Sequence, residues 1–420
     1  MSTVSKASIP KQLNSNLHGL RPSATLVINE HSTRLRSQGR DVFKLGFGQS
    51  PFPVPAPVVQ ELQRQAHRKE YLPVRGLPEL RDAVASFHQR LEGIEATGQD
   101  VLIGPGSKEL MFLLQLAYDA DLLLPSPSWV SYAPQAQMLG RRIGWMETSR
   151  GNGWRLLPET LEQACARNPD RRRILVLNYP NNPSGLSFTP SQLEALAEVA
   201  RRYRIVVLAD EIYGQLHHAG GHVSIARYYP EGAVITSGLS KWCGAGGWRL
   251  GTMTFPGELR WLLDAVAVCA SETYTTASAP VQCAAVTAFQ GGKAIEAYLK
   301  ASRAVLSSLG KWVAAELRKA GAEVDDPDGG FYLFPQFSAK AISAEPFCRQ
   351  ILEETGVALL PGVEFGRPEE ELTARLCYVD FDGAECLAAV ARGESVDEAF
   401  LRNHCARTVA GVNRLCEWLA

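Results

Sequence analysis

The chain has 420 residues, 45% apolar and 21% charged, with 43 basic against 44 acidic side chains. That length supplies one large or two moderate domains with ample core, and a formal charge of −1 gives no basis for binding nucleic acid or an anionic membrane. No apolar run reaches the ~18 residues a bilayer span requires. Nine cysteines, an odd number with no C-x-x-C pair, fit free thiols in a reducing compartment better than a disulfide framework or a zinc site, so no metal is expected.

The first stretch, Met1–Ile9, is polar and has no apolar segment of the signal-peptide kind. Acidic residues are missing until Glu30, among several serines and bases, so an organelle transit peptide stays open. The segment is short and not strongly arginine-rich, and a cytoplasmic location is expected. Further along, short apolar runs predict strands at Val101–Ile103, Leu122–Leu124, Ile174–Leu177, Ile205–Ala209, Val234–Thr236 and Leu250–Phe255. Thr189-Pro190-Ser191-Gln192 opens a helix: threonine as N-cap, proline at the first position, glutamine closing a capping box. Continuous apolar strands alternating with helices predict an α/β fold whose mostly parallel sheet is covered on both faces. After about residue 295 the pattern changes to a long helix, Ala294–Ala320, with Leu299, Val305, Leu306, Leu309, Val313 and Leu317 on one stripe and Gly321 as its stop. Short strands at Phe331–Phe334 and Arg375–Val379 and a last helix near Ala406–Leu419 follow. These predict a second, smaller α+β unit.

Chemistry-bearing residues sit at the ends of the predicted strands. Gly106-Ser107-Lys108 opens the helical pattern Glu109–Leu116; a helix start offers free N–H groups and a positive dipole end to a phosphate, or is only a cap. Trp129, in Pro127-Ser128-Trp129-Val130-Ser131-Tyr132, follows a strand at the end of the sheet where α/β proteins bind ligands, although a lone tryptophan also serves as core. Tyr179-Pro180-Asn181-Asn182-Pro183-Ser184-Gly185 reads as a tight turn. Asp210, in Ala209-Asp210-Glu211-Ile212-Tyr213, places a carboxylate at the end of an apolar strand, where it needs a cation or serves as a helix cap. Lys241 lies in Ser237-Gly238-Leu239-Ser240-Lys241, directly after a buried strand. Desolvation there lowers an amine's pKa and makes it a nucleophile or base; the alternative is a lysine snorkelling beside a flexible loop. The glycine-rich turn Gly244-Ala245-Gly246-Gly247-Trp248-Arg249 then delivers a guanidinium fork suited to phosphate.

Taken in order, these motifs closely resemble those of the class I aminotransferases of fold type I, bacterial-type aspartate aminotransferases in particular, from about Arg21 to the C-terminus. The resemblance implies pyridoxal 5'-phosphate as cofactor, held as a Schiff base on Lys241, the catalytic residue. Gly106, Ser107, Lys108, Ser240 and Arg249 would surround its phosphate, Trp129 its ring, Asp210 its ring nitrogen, and Asn182 and Tyr213 its phenolic oxygen. Arg375, in Arg375-Leu376-Cys377-Tyr378-Val379, matches the arginine that grips the substrate α-carboxylate, with Gly48 leaving room for it and Asn182 and Trp129 beside it. Tyr71 matches the tyrosine lent to a neighbouring subunit's phosphate, which implies a homodimer. Lys108 and the hydroxyls of Pro22-Ser23-Ala24-Thr25 match positions that select a second carboxylate, so Ser23, Thr25 and Lys108 point to aspartate or glutamate with a 2-oxo acid, in ping-pong exchange. A discontinuous small domain of residues 1–50 and 296–420, around a large cofactor domain of 51–295, is also implied.

The pattern departs from the family in places. Gly48-Gln49-Ser50 replaces G-E-P, Ser184 stands for threonine in N-P-T-G, Gly246-Gly247 loosens the turn after Lys241, Arg75 stands close to the shared site, and Asp380 and Asp382 could compete for Arg375. A C–S lyase or a cyclase on the same cofactor shares nearly all these motifs. A ligand-sensing domain of a transcription regulator would need an N-terminal DNA-binding domain, whereas only about twenty residues precede the match, so that reading is not expected.

Overall fold

In the computed structural model, residues 12–338 and 343–420 are described, so the polar start Met1–Ile9 lies outside them. Seven strands build the main sheet: β1 (Val101–Gly104), β2 (Asp121–Ser126), β3 (Ile143–Glu147), β4 (Arg173–Asn178), β5 (Val206–Asp210), β6 (Ala233–Gly238) and β7 (Gly251–Thr254). Their order is β1-β7-β6-β5-β4-β2-β3. β2 to β6 pair in parallel, while β7 runs antiparallel to both of its neighbours. The reversal has a local cause. A parallel neighbour needs a crossover of a dozen or more residues, usually a helix, and the link from Gly238 to Gly251 holds only the short turn Gly246–Trp248. The chain therefore turns straight back, and the stretch carrying Lys241 stays at the C-terminal end of β6.

All six expected strands form. β3 was not anticipated because it is an edge strand with mixed exposure, Trp145 being 45% exposed, and so lacks a continuous apolar run. Pro190–Arg202 is a helix with the expected cap: Gln192 N donates to Thr189 Oγ1 at 3.3 Å and Thr189 N to Gln192 Oε1 at 2.9 Å. The long helix covers Lys293–Lys319 with its anticipated apolar stripe buried.

A second sheet has three short antiparallel strands in the order β8-β10-β9: β8 (Tyr332–Leu333), β9 (Leu360–Pro361) and β10 (Ala374–Cys377). The N-terminal segment joins it. Ala358 N donates to Phe43 O at 3.1 Å and Cys377 N to Leu45 O at 2.7 Å, which brings Gly46 and Gly48 beside β10. The last helix spans Ala406–Leu419, as expected. One apolar cluster runs from Phe43 through Leu239 and Trp242 to Leu306 and Leu415 and joins the small sheet to β1, while the two faces of β2 to β6 pack into two further clusters.

Candidate active site

The C-terminal ends of β4, β5 and β6 face the small sheet across a cavity of about 510 Å³. Ligand crevices form at this end of open α/β sheets. Lys241, Ser240, Asp210, Tyr213 and Asn182 line it from the main sheet, and Ser107, Lys108, Trp129 and Arg249 close one flank. Gly48 and Arg375 line the opposite wall, and Ser23 stands at the mouth.

Lys241 projects into this space. Its Nζ donates to Gly48 O at 3.1 Å and lies 5.7 Å from the Tyr213 ring centroid. The side chain keeps a little exposed surface toward the cavity but is otherwise enclosed by protein. Burial, with the Arg375 charge adding to it, pulls the amine down to about 8. Asp210 is buried at 3% exposure and pushed up to about 6 by desolvation. Tyr132 OH donates to its Oδ2 at 2.5 Å and Ile212 N to its Oδ1 at 3.3 Å, and both bonds oppose that rise. A carboxylate and an amine, each displaced toward neutrality, thus share one cavity, as acid–base sites require.

Arg375 is 1% exposed. Its Nη1 donates to Asn182 Oδ1 at 3.0 Å and its Nη2 to Gly46 O at 2.7 Å. The guanidinium lies 4.9 Å from the Tyr332 ring centroid and 5.1 Å from that of Phe365. A guanidinium carries five N–H donors, and Nε finds no protein partner, so donors remain for a carboxylate. Asn182 is held in turn through Asn178: Asn182 N donates to Asn178 Oδ1 at 2.7 Å, and Asn178 Nδ2 to Asp210 O at 2.8 Å.

The flank fits a phosphate. Gly106 has φ +99°, and a Cβ there would collide with Arg249 Nη2. A Cβ on Gly251 would strike Ser107 N, at the start of the helix Ser107–Ala117. Glycine is therefore required at both positions to bring the helix start and the guanidinium together. Arg249 itself sits at φ +55°, with Nη1 on Gly246 O at 2.9 Å and Nη2 on Pro105 O at 3.3 Å. Lys108 Nζ lies 5.0 Å from the Trp129 ring centroid, and burial with the Arg249 charge lowers its proton affinity.

Two residues fall elsewhere. Tyr71 is 87% exposed and lies outside this cavity, and the Thr25 side chain lies outside the described residues. Gly48 differs from the expectation in detail: the space a Cβ would take is filled by the Tyr332 hydroxyl, and its carbonyl anchors Lys241. Arg75 pairs with Asp264 on the surface. Asp380 accepts from Lys44 N and pairs with Arg36 and Arg407, and Asp382 caps the helix Gly383–Ala391; neither competes for Arg375. Sequence reasoning assigned no role to Tyr132, Asn178, Tyr332 or Leu26, all of which line the cavity. Tyr132 had a signal, standing three residues after Trp129 at the start of the helix Tyr132–Met138.

The family described as "Aminotransferase class I and II" matches residues 40–392. An aspartate aminotransferase of Geobacillus stearothermophilus is 31% identical over 382 residues, covering 87% of this chain and 94% of its own. An asparagine–oxo-acid transaminase of Streptococcus mutans is 30% identical, covering 86% and 92%. Among solved structures, the aspartate aminotransferase from Thermus thermophilus with maleate superimposes with a TM-score of 0.85 at 27% identity, over 97% of this chain and 100% of that one.

Proposed function

Because this chain belongs to the class I and II aminotransferases, we propose that it exchanges the amino group of an acidic amino acid, aspartate or glutamate, with a 2-oxo acid in a ping-pong cycle, Lys241 being its catalytic residue. That it is a pyridoxal-phosphate-dependent transaminase follows from the family. The convergence of a depressed lysine, a buried aspartate and a half-satisfied arginine in one cavity carries the assignment of roles.

The residues present fit the cofactor. Lys241 would hold it covalently, with Ser107, Ser240, Arg249 and the Gly106 turn around its phosphate. Trp129 would lie along its ring, Asp210 at its ring nitrogen, and Asn182 and Tyr213 at its phenolic oxygen. When bound, it supplies a conjugated cationic ring that accepts the electron pair left by deprotonation of the substrate Cα. The chain's own groups do the rest. Arg375, braced by Asn182 and Gly46 O, fixes the α-carboxylate and so the orientation of the Cα–H bond. Lys241, whose amine is neutral in appreciable fraction near pH 8, takes that proton and returns it. Asp210 supplies the negative charge that a cationic ring nitrogen needs.

Lys108, poised over Trp129, with the Ser23 hydroxyl at the same cavity, would take the second carboxylate, Thr25 being assigned from the sequence alone. The names of the relatives, aspartate aminotransferases among them, agree with that choice. Absorbance tests the reading: the bound cofactor's spectrum should change when aspartate is added and revert with 2-oxoglutarate. A spectrum that returns unaided once the amino acid is consumed, with a keto acid and ammonia released, would assign a lyase instead.

We take residues 51–295 as the large domain and 1–50 with 296–420 as the small one. The exposed Tyr71, outside its own cavity, supports a homodimer in which it reaches the partner's phosphate site; sedimentation of a fully active monomer would contradict this. Nine free cysteines, and no helix among the described residues long and apolar enough to cross a membrane, agree with a cytoplasmic setting.

A further inference from the structure

Asp210 is followed in the chain by a second buried carboxylate, Glu211, at 4% exposure. Neighbouring side chains at a strand end point to opposite faces. Asp210 enters the cavity, whereas Glu211 accepts from Ser224 Oγ at 2.6 Å, Tyr179 OH at 2.8 Å and His222 Nε2 at 3.0 Å. His222 is also close to Glu92, ligand atoms of Glu92, Glu211 and His222 all lying within 4.8 Å of one another. Glu92 Oε2 in turn meets His88 Nδ1 at 2.7 Å. All four side chains are at most 5% exposed. Two ionised carboxylates in this buried cluster are balanced when both rings carry a second proton and are cationic; His222 Nδ1, the ring nitrogen not on Glu211, has no hydrogen-bond partner. Both rings gain proton affinity from the carboxylates in spite of burial.

We propose that His222 is a positioning residue for Asp210: its positive charge, seated on Glu211, offsets the repulsion between the adjacent carboxylates and keeps Asp210 ionised toward the cofactor's ring nitrogen. Uncompensated, the Glu211 charge would raise the proton affinity of Asp210, as like charges in a low-dielectric interior do. Few other groups bear on the pair. Asp210 also meets Tyr132, Ile212 N and Lys241. His222 also meets the Tyr179 ring, 5.3 Å between centroids, and feels His217, His88 and Glu92. The inference rests on the proposed role of Asp210.

The test is cofactor affinity of the apoprotein as a function of pH, with pyridoxal phosphate and with a deaza analogue in which carbon replaces the ring nitrogen. The analogue cancels titration of the phosphate site and of Lys241. In the wild type, the difference between the two ligands should fall away as pH drops through about 6, and Asp210→Asn should abolish that inflection. His222→Gln keeps a donor for Glu211 but removes the charge, and should move the inflection upward by about half a pH unit or more. Removing the other charge as well, in Glu211→Gln with His222→Gln, should bring it back toward the wild-type position. An unmoved inflection in His222→Gln, or an equal loss of affinity at every pH, would make the pair mere packing and overturn the proposal. A wild-type inflection that survives Asp210→Asn would overturn the role of Asp210 itself and, with it, this inference. Melting curves of each variant identify a folding failure, and the double variant then decides by whether its inflection returns.

Discussion

The two walls of the cavity are built on different principles. On the main-sheet wall, Asp210 closes one buried strand and Lys241 follows another, and each pays in desolvation, the acid driven up and the amine driven down. On the small-sheet wall, Arg375 sits within β10, fixed by Asn182, by Gly46 O and by two aromatic rings. One wall holds groups that change protonation state. The other holds a permanently charged fork that does not. In the proposed roles chemistry and recognition lie on opposite sides of the crevice, and substitutions on the two walls should fail in different ways.

The largest effect belongs to the chemical wall. Lys241→Ala should abolish turnover while the cofactor still binds through the flank of Ser107 and Arg249, measurable as dialysis-resistant absorbance. Borohydride reduction of the wild type should fix the cofactor on the peptide containing Lys241, and label on another lysine would end the assignment. Next comes Asp210→Asn, which keeps the shape and removes the charge. A loss of several kcal/mol, at ~1.4 kcal/mol per tenfold, lowers kcat by about two orders of magnitude or more. Near-normal kcat would show that Asp210 does not serve the ring nitrogen.

On the recognition wall, Arg375→Lys retains the charge and loses the planar fork. Charge-assisted hydrogen bonds are worth about 1.5–3 kcal/mol, so kcat/KM should fall about ten- to a hundredfold, mainly through KM. A fall confined to kcat would erase the contrast between the walls.

The walls also differ in how far the sequence reveals them. Asp210, Lys241 and Ser107 are legible because each ends or follows an apolar run that must be a buried strand, or opens the helix after one, and the strand direction then places the residue; Asn182, in the turn past β4, is found by its motif. Arg375 is found by its motif. Its support is not: Gly46 contributes only a backbone carbonyl, and Tyr332 fills the space over Gly48 from a strand of two residues. The Glu211–His222–Glu92–His88 network draws on the helix Pro78–Glu92, the end of β5 and a loop, and no local pattern signals such a meeting. Arg75, Asp380 and Asp382 looked threatening from the sequence, yet ion pairs occupy the first two and Asp382 caps a helix.

The smallest effect should come from the flank between the walls, where specificity would reside. Lys108 stands over Trp129 where burial and the Arg249 charge disfavour its cationic form, which an anionic side chain would favour. A substrate carboxylate would also relieve its repulsion with Arg249. One charge-assisted contact of about 1.5–3 kcal/mol predicts that Lys108→Ala lowers kcat/KM for aspartate roughly tenfold or more. Any weakening of the cofactor phosphate, which Ser107 and Arg249 would also hold, should be equal for every substrate. The loss with aspartate must therefore exceed the loss with alanine or phenylalanine. Equal losses for all three, or no activity with either acidic amino acid, would remove the acidic substrate while leaving both walls and the transaminase chemistry in place.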